Sequence, residues 1–255
     1  MKIIAVTQAR VGSTRLPGKI LMKISGKSLL EIHLNRILKS KLITKLKVAT
    51  TNEQGVEEIL KIAESCGVDY FQGDTYNVLD RFYNTVKDEA ADYVVRLTSD
   101  CPLIDAELID LVIAYTLKHS LDYCSNSFEE RFPDGQDIEV FKFSALEKAW
   151  KEAKLDSEKE HVTPFIYNNS TFKQRKMFRA DGYSIEEDYH NVRLTVDEEQ
   201  DFRVVKKLIE EIGLNASWRS YTQCYLNNSE IRRLNSSVIR NEGYLNSINK
   251  ENNGK

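Results

Sequence analysis

The sequence is expected to fold as an α/β protein, a three-layer α/β/α sandwich around a mostly parallel sheet. Three features point there. Short apolar runs alternate with helical patterns of about ten residues or more, the arrangement of βαβ units. Right-handed crossovers between parallel strands then place helices on both faces of the sheet. The two most polar segments, residues 8–19 and 98–105, each follow an expected strand, where ligands sit in a sheet of this kind.

The elements follow from local pattern. Residues 2–7 hold the run Ile-Ile-Ala-Val, a buried strand. Residues 8–27 contain Gly12, Ser13, Pro17, Gly18 and Gly26, the chemistry of a loop. Leu30, Leu34 and Leu38 recur at helical spacing, flanked by Leu29 and Ile37, with Ser28 placed as an N-cap. Strands are expected at 47–51, 69–72 and 93–97, and helices at 56–65, 77–90 and 108–118. The second half is less regular. Residues 137–143 alternate as a strand does, 145–153 and 158–168 look helical with Pro164 interrupting the latter, and 172–178 and 192–196 look like strands. Residues 198–212 form an amphipathic helix with Phe202, Val205, Leu208, Ile209 and Ile212 apolar. No repeat or Pro/Ser-rich linker divides the chain, so 1–240 reads as one domain with an inserted arm at roughly 126–190. The Asn-, Ser-, Lys- and Gly-rich residues 241–255 read as a flexible tail.

Composition narrows the function classes. The 255 residues are 41% hydrophobic and 29% charged, ordinary for a globular protein and unlike disordered, collagen-like or coiled-coil chains. No apolar run approaches the ~18 residues of a membrane span. Gln8 and Arg10 interrupt the apolar start, which does not suit a signal peptide, so a cytoplasmic protein without a membrane partner is expected. The 4 cysteines and 4 histidines are scattered without CxxC or HExxH spacing. A formal charge of −3 argues against nucleic acid as a partner. The charge is unevenly spread: Lys2, Arg10, Arg15, Lys19, Lys23 and Lys27 precede the first acid, Glu31, which suggests an anionic ligand.

Several constellations could carry chemistry. In Ala9-Arg10-Val11-Gly12-Ser13-Thr14-Arg15-Leu16-Pro17-Gly18-Lys19, glycines permit close backbone approach and the basic residues supply charge-assisted donors for phosphate. The segment is neither a Walker A loop nor GxGxxG, since Ile20 stands where Ser or Thr would follow the lysine. Asp100 follows a strand and precedes Pro102, so it can ligate Mg²⁺ or cap a turn; Asp105 is better read as a helix cap. Asp197 also ends a strand just before a helix, as a metal ligand paired with Asp100 or as an N-cap. Arg81 lies one helical turn after Asn77, and an ion pair with Asp74 or Asp80 is the plainer alternative. Asp137 and Glu139 project from one strand face, towards a ligand or solvent. His161 is open to two roles, a polar contact or a helix-surface histidine.

Six segments, QARVGSTRLPGK, QGDTYNVLDRFY, RLTSDCPLID, FPDGQDIEVF, EKEHVTPFIYNN and RLTVDEEQDF, together resemble the CMP-acidic-sugar cytidylyltransferases, nearest to the spore-coat-polysaccharide type. They run in family order from Gln8 to about Phe202. The resemblance implies a nucleotide-diphospho-sugar transferase sandwich and a homodimer built through the arm. It implies that CTP and an acidic sugar give a CMP-sugar and pyrophosphate, with Mg²⁺ as cofactor. Arg10, Gly12, Ser13, Arg15 and Lys19 would hold the CTP phosphates, and Gln8, Ala9, Asp74, Arg81 and Ser99 would complete the nucleotide site. Asp100 and Asp197 would ligate the metal. Arg81, Gln136, Asp137, Glu139 and His161 would lie towards the sugar, His161 also near the dimer contact. Lys19, Arg10, Asp100 and Asp197 would carry the catalysis, neutralising charge around an in-line attack on the α-phosphorus. Where the octulosonate enzymes carry Gly-Asp-Glu-Pro, this chain has Ser99-Asp100-Cys101-Pro102. Two other readings stay open on the residues themselves: a glycosyltransferase of the same sheet type, although Asp100-Cys101-Pro102 lacks the second acid of Asp-x-Asp, and a non-catalytic nucleotide-binding subunit.

Overall fold

The computed structural model describes residues 1–238 and Arg240, so the expected tail at 241–255 lies outside the described residues. Strand β1 (Ile3–Gln8) occupies the middle of the sheet. Ile3 and Ala5 enter one apolar core while Ile4 and Val6 enter another, and burial on both faces explains the unbroken apolar run. A loop with a 3₁₀ turn at Lys19–Leu21 leads to a small hairpin of β2 (Lys23–Ile24) and β3 (Lys27–Ser28). Helix α1 (Leu29–Ile37) follows, and Ser28 Oγ accepts from Glu31 N at 3.1 Å, the cap expected from sequence.

The alternation then continues through β4 (Lys45–Thr51), α2 (Glu57–Ser65), β5 (Asp69–Gly73), α3 (Val78–Val86), β6 (Tyr93–Thr98) and α4 (Ala106–Lys118). Asp105 caps α4, its Oδ1 accepting from Glu107 N and Leu108 N at 2.9 and 3.2 Å. The second half supplies β7 (Tyr123–Ser125), β8 (Glu139–Lys142), α5 (Phe143–Glu152), α6 (Asp156–His161), α7 (Pro164–Asn168), β9 (Ala180–Gly182), α8 (Glu199–Ile212), α9 (Trp218–Asn227) and α10 (Ser229–Asn235).

Among the described residues the main sheet has seven strands in the order β5-β4-β1-β6-β8-β7-β9. All are mutually parallel except β8, which runs against both neighbours. From β1 the chain steps outward to β4 and β5, then crosses to β6 on the other side of β1. That reversal opens a crevice at the carboxyl ends of β1 and β6, the place where such sheets bind ligands. Helices α1, α2 and α4 cover one face, and α3 and α5 the other. A third apolar cluster joins α8, α9 and α10 to Leu29, Ile32, Leu103 and the extended residues Val192, Leu194 and Val196.

Two expected strands are not strands. Residues 172–178 hold part of a 3₁₀ turn and one isolated bridge, Ser170 to Phe178. Phe178 is buried, but the residues just before it are exposed, so no second apolar face rewards a ladder. Residues 192–196 make one isolated bridge, Asp134 to Arg193, and turn their apolar side chains to the C-terminal helices. The expected arm at 126–190 is also more integrated than the sequence suggests. Its β8 lies inside the main sheet, and Val162, Phe165, Ile166 and Phe178 enter the core on the α3 side. Among the described residues no helix is long and apolar enough to cross a membrane.

Candidate active site

The glycine-containing loop after β1 is closed by its own backbone. Val11 O accepts from Ser13 N at 2.9 Å and from Gly18 N at 3.1 Å. Gly18 holds φ at +66°, a conformation that costs glycine little and other residues more. The closed loop delivers Lys19 to two acids. Its Nζ lies 2.8 Å from Asp197 Oδ1 and 3.2 Å from Asp100 Oδ2, and Arg15 Nη2 lies 3.0 Å from the same Asp197 oxygen.

Residues 97 positions apart in sequence meet because the segment before Asp197 is stitched to the loop after β6. Val196 N donates to Asp100 O at 2.8 Å, and Thr195 Oγ1 to the same carbonyl at 3.1 Å. On its other side the segment meets Asp134: Asp134 N donates to Val192 O at 2.9 Å and Leu194 N to Asp134 O at 2.7 Å. Gly135 permits this approach. Its φ is +100°, and a Cβ there would sit 2.6 Å from Thr195 N. From below, buried His33 hydrogen-bonds Cys101 O through Nδ1 and Thr7 Oγ1 through Nε2, both at 2.9 Å. The carbonyl can only accept, so Nδ1 carries the proton and Nε2 accepts from the hydroxyl.

Charge is tightly organised here. Burial pulls the Lys19 amine down, but Asp100 and Asp197 together hold it above the usual lysine value. Burial pushes Asp100 up, yet Lys19, Thr98 and Cys101 bring it to about 2. Both partners are therefore ionised at neutral pH. Burial drives His33 down to about 4, so its imidazole is neutral.

The rest of the cleft, about 460 Å³ in volume, opens from these acids towards β8 and α6. Its floor is Glu139, held by the Arg96 guanidinium, by Tyr123 OH at 2.5 Å and by Thr163 Oγ1 at 2.6 Å. Asp137 faces Arg240, 3.5 Å away. Burial raises Asp137, with Glu139 and Asp100 adding to the rise against Arg240. Burial and the charge of Asp137 push Asp134 up to about 7 despite its contact with Arg193. The far half of the cleft is thus a wall of hydrogen-bonding carboxyls interleaved with arginines, suited to a polyhydroxyl ligand.

The expected site residues divide. Gln8, Arg15, Asp100, Asp137, Glu139, His161 and Asp197 line the cleft, and Lys19 is joined to two of them. Asp197 is not the helix cap. Glu198 holds that position, and Asp201 accepts from both Asp197 N and Glu198 N at 3.1 Å. Arg10 and Gly12 are exposed on the phosphate-type loop, and Ser13 braces it, its Oγ accepting from Leu16 N at 3.4 Å. Ala9 and Ser99 are buried beneath, their backbone N–H groups bonded to Ala49 O and Gln8 O.

Two expectations are corrected, for Gln136 and Arg81, and a third residue, Asp74, does not line the cleft. Gln136 is fully buried and donates to Leu103 O at 2.9 Å, so it ties the loop down instead of facing a sugar. Asp74 spends its carboxylate on Tyr76 N and Asn77 N, at 2.7 and 2.6 Å, as an Asx turn. Arg81 is 2% exposed, does not line the cleft and makes no surface ion pair; it donates to the Asp74 carbonyl at 2.5 Å. Burial and the neighbouring Arg10 lower it to about 10. Arg96, Thr98, Tyr123, Asp134, Thr163, Arg193 and Arg240 line the cleft without having been singled out. Arg96 and Arg193 stand in the quoted motifs four and three residues before Asp100 and Val196, so proximity to the strand ends was their one signal.

Comparison with known proteins gives a consistent result. A family model described as cytidylyltransferase matches residues 4–231. An uncharacterized protein of Methanocaldococcus jannaschii is 40% identical over 239 residues, covering 93% of this chain and 96% of that protein. The spore coat polysaccharide biosynthesis protein SpsF of Bacillus subtilis is 31% identical, covering 83% and 88%. A 3-deoxy-manno-octulosonate cytidylyltransferase of Bdellovibrio bacteriovorus is 40% identical over a shorter stretch, 43% of this chain and 44% of that one. Among solved structures, a cytidylyltransferase from Leptospira borgpetersenii superposes with a TM-score of 0.86 at 33% identity, covering 94% of this chain and all of that one.

Proposed function

The chain belongs to the cytidylyltransferase family of CTP-dependent nucleotidyltransferases, and on that footing we propose that it transfers CMP from CTP to an acidic sugar, forming a CMP-sugar and pyrophosphate for a surface polysaccharide or glycan. The observation that carries the proposal is the convergence of Lys19 and Arg15 on Asp100 and Asp197 at the carboxyl ends of the central strands. The partial likeness to an octulosonate enzyme supports an acidic acceptor.

The donor set fits Mg²⁺. Oxygens of Asp100 and Asp197 lie within 3.2 Å of one lysine nitrogen, so they converge on a single cation position. Both are hard oxygen donors, and among the described residues no group of three or more His, Cys, Asp or Glu could hold a metal. A two-carboxylate site is what Mg²⁺ shares with substrate phosphates. Bound there, the ion would polarise the α-phosphate and lower the pKa of the attacking hydroxyl.

The chain's own groups do the rest. When the triphosphate enters, Lys19 and Arg15 exchange carboxylate partners for phosphate oxygens, and exposed Arg10 adds a third cation beside the departing pyrophosphate. Asp137 and Glu139 accept hydrogen bonds from acceptor hydroxyls, while Arg96, Arg240 and His161 are basic groups that line the same cleft and can meet its carboxylate. These contacts align the hydroxyl for attack; no covalent intermediate on the protein is required. The same proposal includes a homodimer, which sedimentation at several concentrations checks.

The test is pyrophosphate release with Mg²⁺ across four nucleotides and a panel of acidic sugars. Release confined to CTP and one nonulosonate or octulosonate is expected. Transfer from a preformed nucleotide-sugar, with no pyrophosphate from CTP, would replace this proposal with a glycosyltransferase.

A further inference from the structure

Resting on the assignment of Asp197 to the reacting phosphates, we propose that Arg193 is the positioning residue that holds one Asp197 oxygen so that the other faces the reaction. The two oxygens are used differently. Oδ1 meets Lys19 at 2.8 Å and Arg15 at 3.0 Å, whereas Oδ2 meets Arg193 Nη2 at 3.0 Å. A carboxylate held by one oxygen cannot rotate away from its cation, and such outer partners fix the ligand's orientation.

Arg193 is itself fixed on every edge. Nε and Nη2 form a fork on Asp201, at 2.9 Å to Oδ1 and 3.0 Å to Oδ2, and Nη1 meets Asp134 at 2.5 Å. The planar guanidinium suits this fork as an ammonium does not. Asp201 is fully buried and also accepts from Asn235 Nδ2 at 3.1 Å. Asn235 in turn accepts from Tyr225 OH at 3.0 Å and donates to Arg193 O at 3.2 Å. The chain of contacts Tyr225–Asn235–Asp201–Arg193 therefore runs from the C-terminal helices to the catalytic acid, and its outer members do not line the cleft.

The experiment compares the wild-type protein with Arg193→Lys, Asn235→Ala and Tyr225→Phe. It reads Mg²⁺ dependence of pyrophosphate release, KM for CTP, melting temperature, and Mn²⁺ affinity in the presence of CTP by electron paramagnetic resonance. Arg193→Lys is expected to weaken Mn²⁺ binding and raise half-saturating Mg²⁺ by about tenfold or more, with kcat falling and KM for CTP within about twofold. Asn235→Ala and Tyr225→Phe are expected to move the same quantities in the same direction by about two- to threefold, through a smaller disturbance of the same network. Unchanged metal dependence in folded variants, even with a lower melting temperature, overturns the positioning role. If Arg193→Lys does not fold, the two outer variants decide. If the wild type transfers nothing to any acceptor, the metal affinities still decide: weakened Mn²⁺–CTP binding in the variants keeps the positioning role and removes only the transfer reading, and equal binding removes the positioning role.

Discussion

In the proposed reaction Lys19 meets the phosphates, yet in the free protein its charge is spent on the two acids. Removing it separates the catalytic role from the structural one. Lys19→Ala is expected to lower kcat by on the order of 10²–10³, the cost of losing one charge-stabilising donor. It also leaves Asp100 and Asp197 facing one another without their shared lysine, so Mg²⁺ should raise its melting temperature more than that of the wild type. Near-normal turnover in this variant would detach the loop from the phosphates. His33 gives a second handle. Burial holds its folded pKa at about 4, below the ordinary histidine value of 6.5. The stability it contributes is therefore full above pH 6.5 and is lost as pH falls towards 4. The shift corresponds to about 3 kcal/mol between those limits. Nuclear magnetic resonance of the ring is expected to show a neutral tautomer protonated at Nδ1 at pH 6, and His33→Gln to flatten the acid limb of a melting-temperature profile. A ring that titrates near pH 6.5 would contradict the buried pair of hydrogen bonds.

The extended segment 192–196 and the turn at Gly135 show how secondary elements assemble the site. Gly135→Ala combines a left-handed backbone with a Cβ 2.6 Å from a backbone nitrogen, and nothing flexible can yield. It is expected to destabilise by about 2 kcal/mol or more, lowering the melting temperature by roughly 5 °C. It should also weaken catalysis, because Asp134 and Asp197 share that junction. A thermal transition unchanged from the wild type would show that the junction relaxes. The same segment marks where sequence stops being legible. The parallel half was readable because β1 is an unbroken apolar run, β4 and β6 carry Leu46, Val48, Val94, Val95 and Leu97 in short strand-like stretches, and their helices repeat leucine, isoleucine or valine at helical spacing. Residues 192–196 have strand-like composition, but their neighbours are helices and a loop, and local pattern carries no record of a hydrogen-bonding partner. Strands β7 and β9 are three residues each, too short for periodicity to register. Helix α9 does bury Trp218, Tyr221 and Tyr225 on one side, but Arg219, Ser220, Thr222 and Gln223 between them dilute the stripe. Within the site, Lys19, Asp100 and Asp197 were singled out by sequence and the structure brings them together, whereas Gln136 and Arg81 were not legible as buried scaffold. Burial decided their roles, and burial is set by distant parts of the chain.

Across the molecule, the cleft draws on the first loop, the ends of β1 and β6, strand β8, the residues after α6, the segment before α8, and Arg240. A ligand bound there touches segments from both halves of the chain, so it should stabilise the cooperative unit and not one lobe. The effect can be sized. A ligand at one hundred times its Kd that binds only the native state adds about 2.7 kcal/mol, which for a chain of this length raises the melting temperature by roughly 5–10 °C. CTP with Mg²⁺ is expected to reach that shift, while UTP, ATP and GTP fall short. The metal's share is isolated by difference. Chelation should reduce the CTP shift in the wild type and leave it unchanged in Asp197→Asn, because the variant has already lost the oxygen on which that share depends. Salt supplies a further check, since contacts between phosphates and the basic loop weaken with ionic strength whereas burial of a base or sugar does not. A CTP shift that is insensitive to both chelator and salt would mean that the nucleotide sits away from Lys19, Asp100 and Asp197, and the transfer chemistry would have to be rebuilt on other residues.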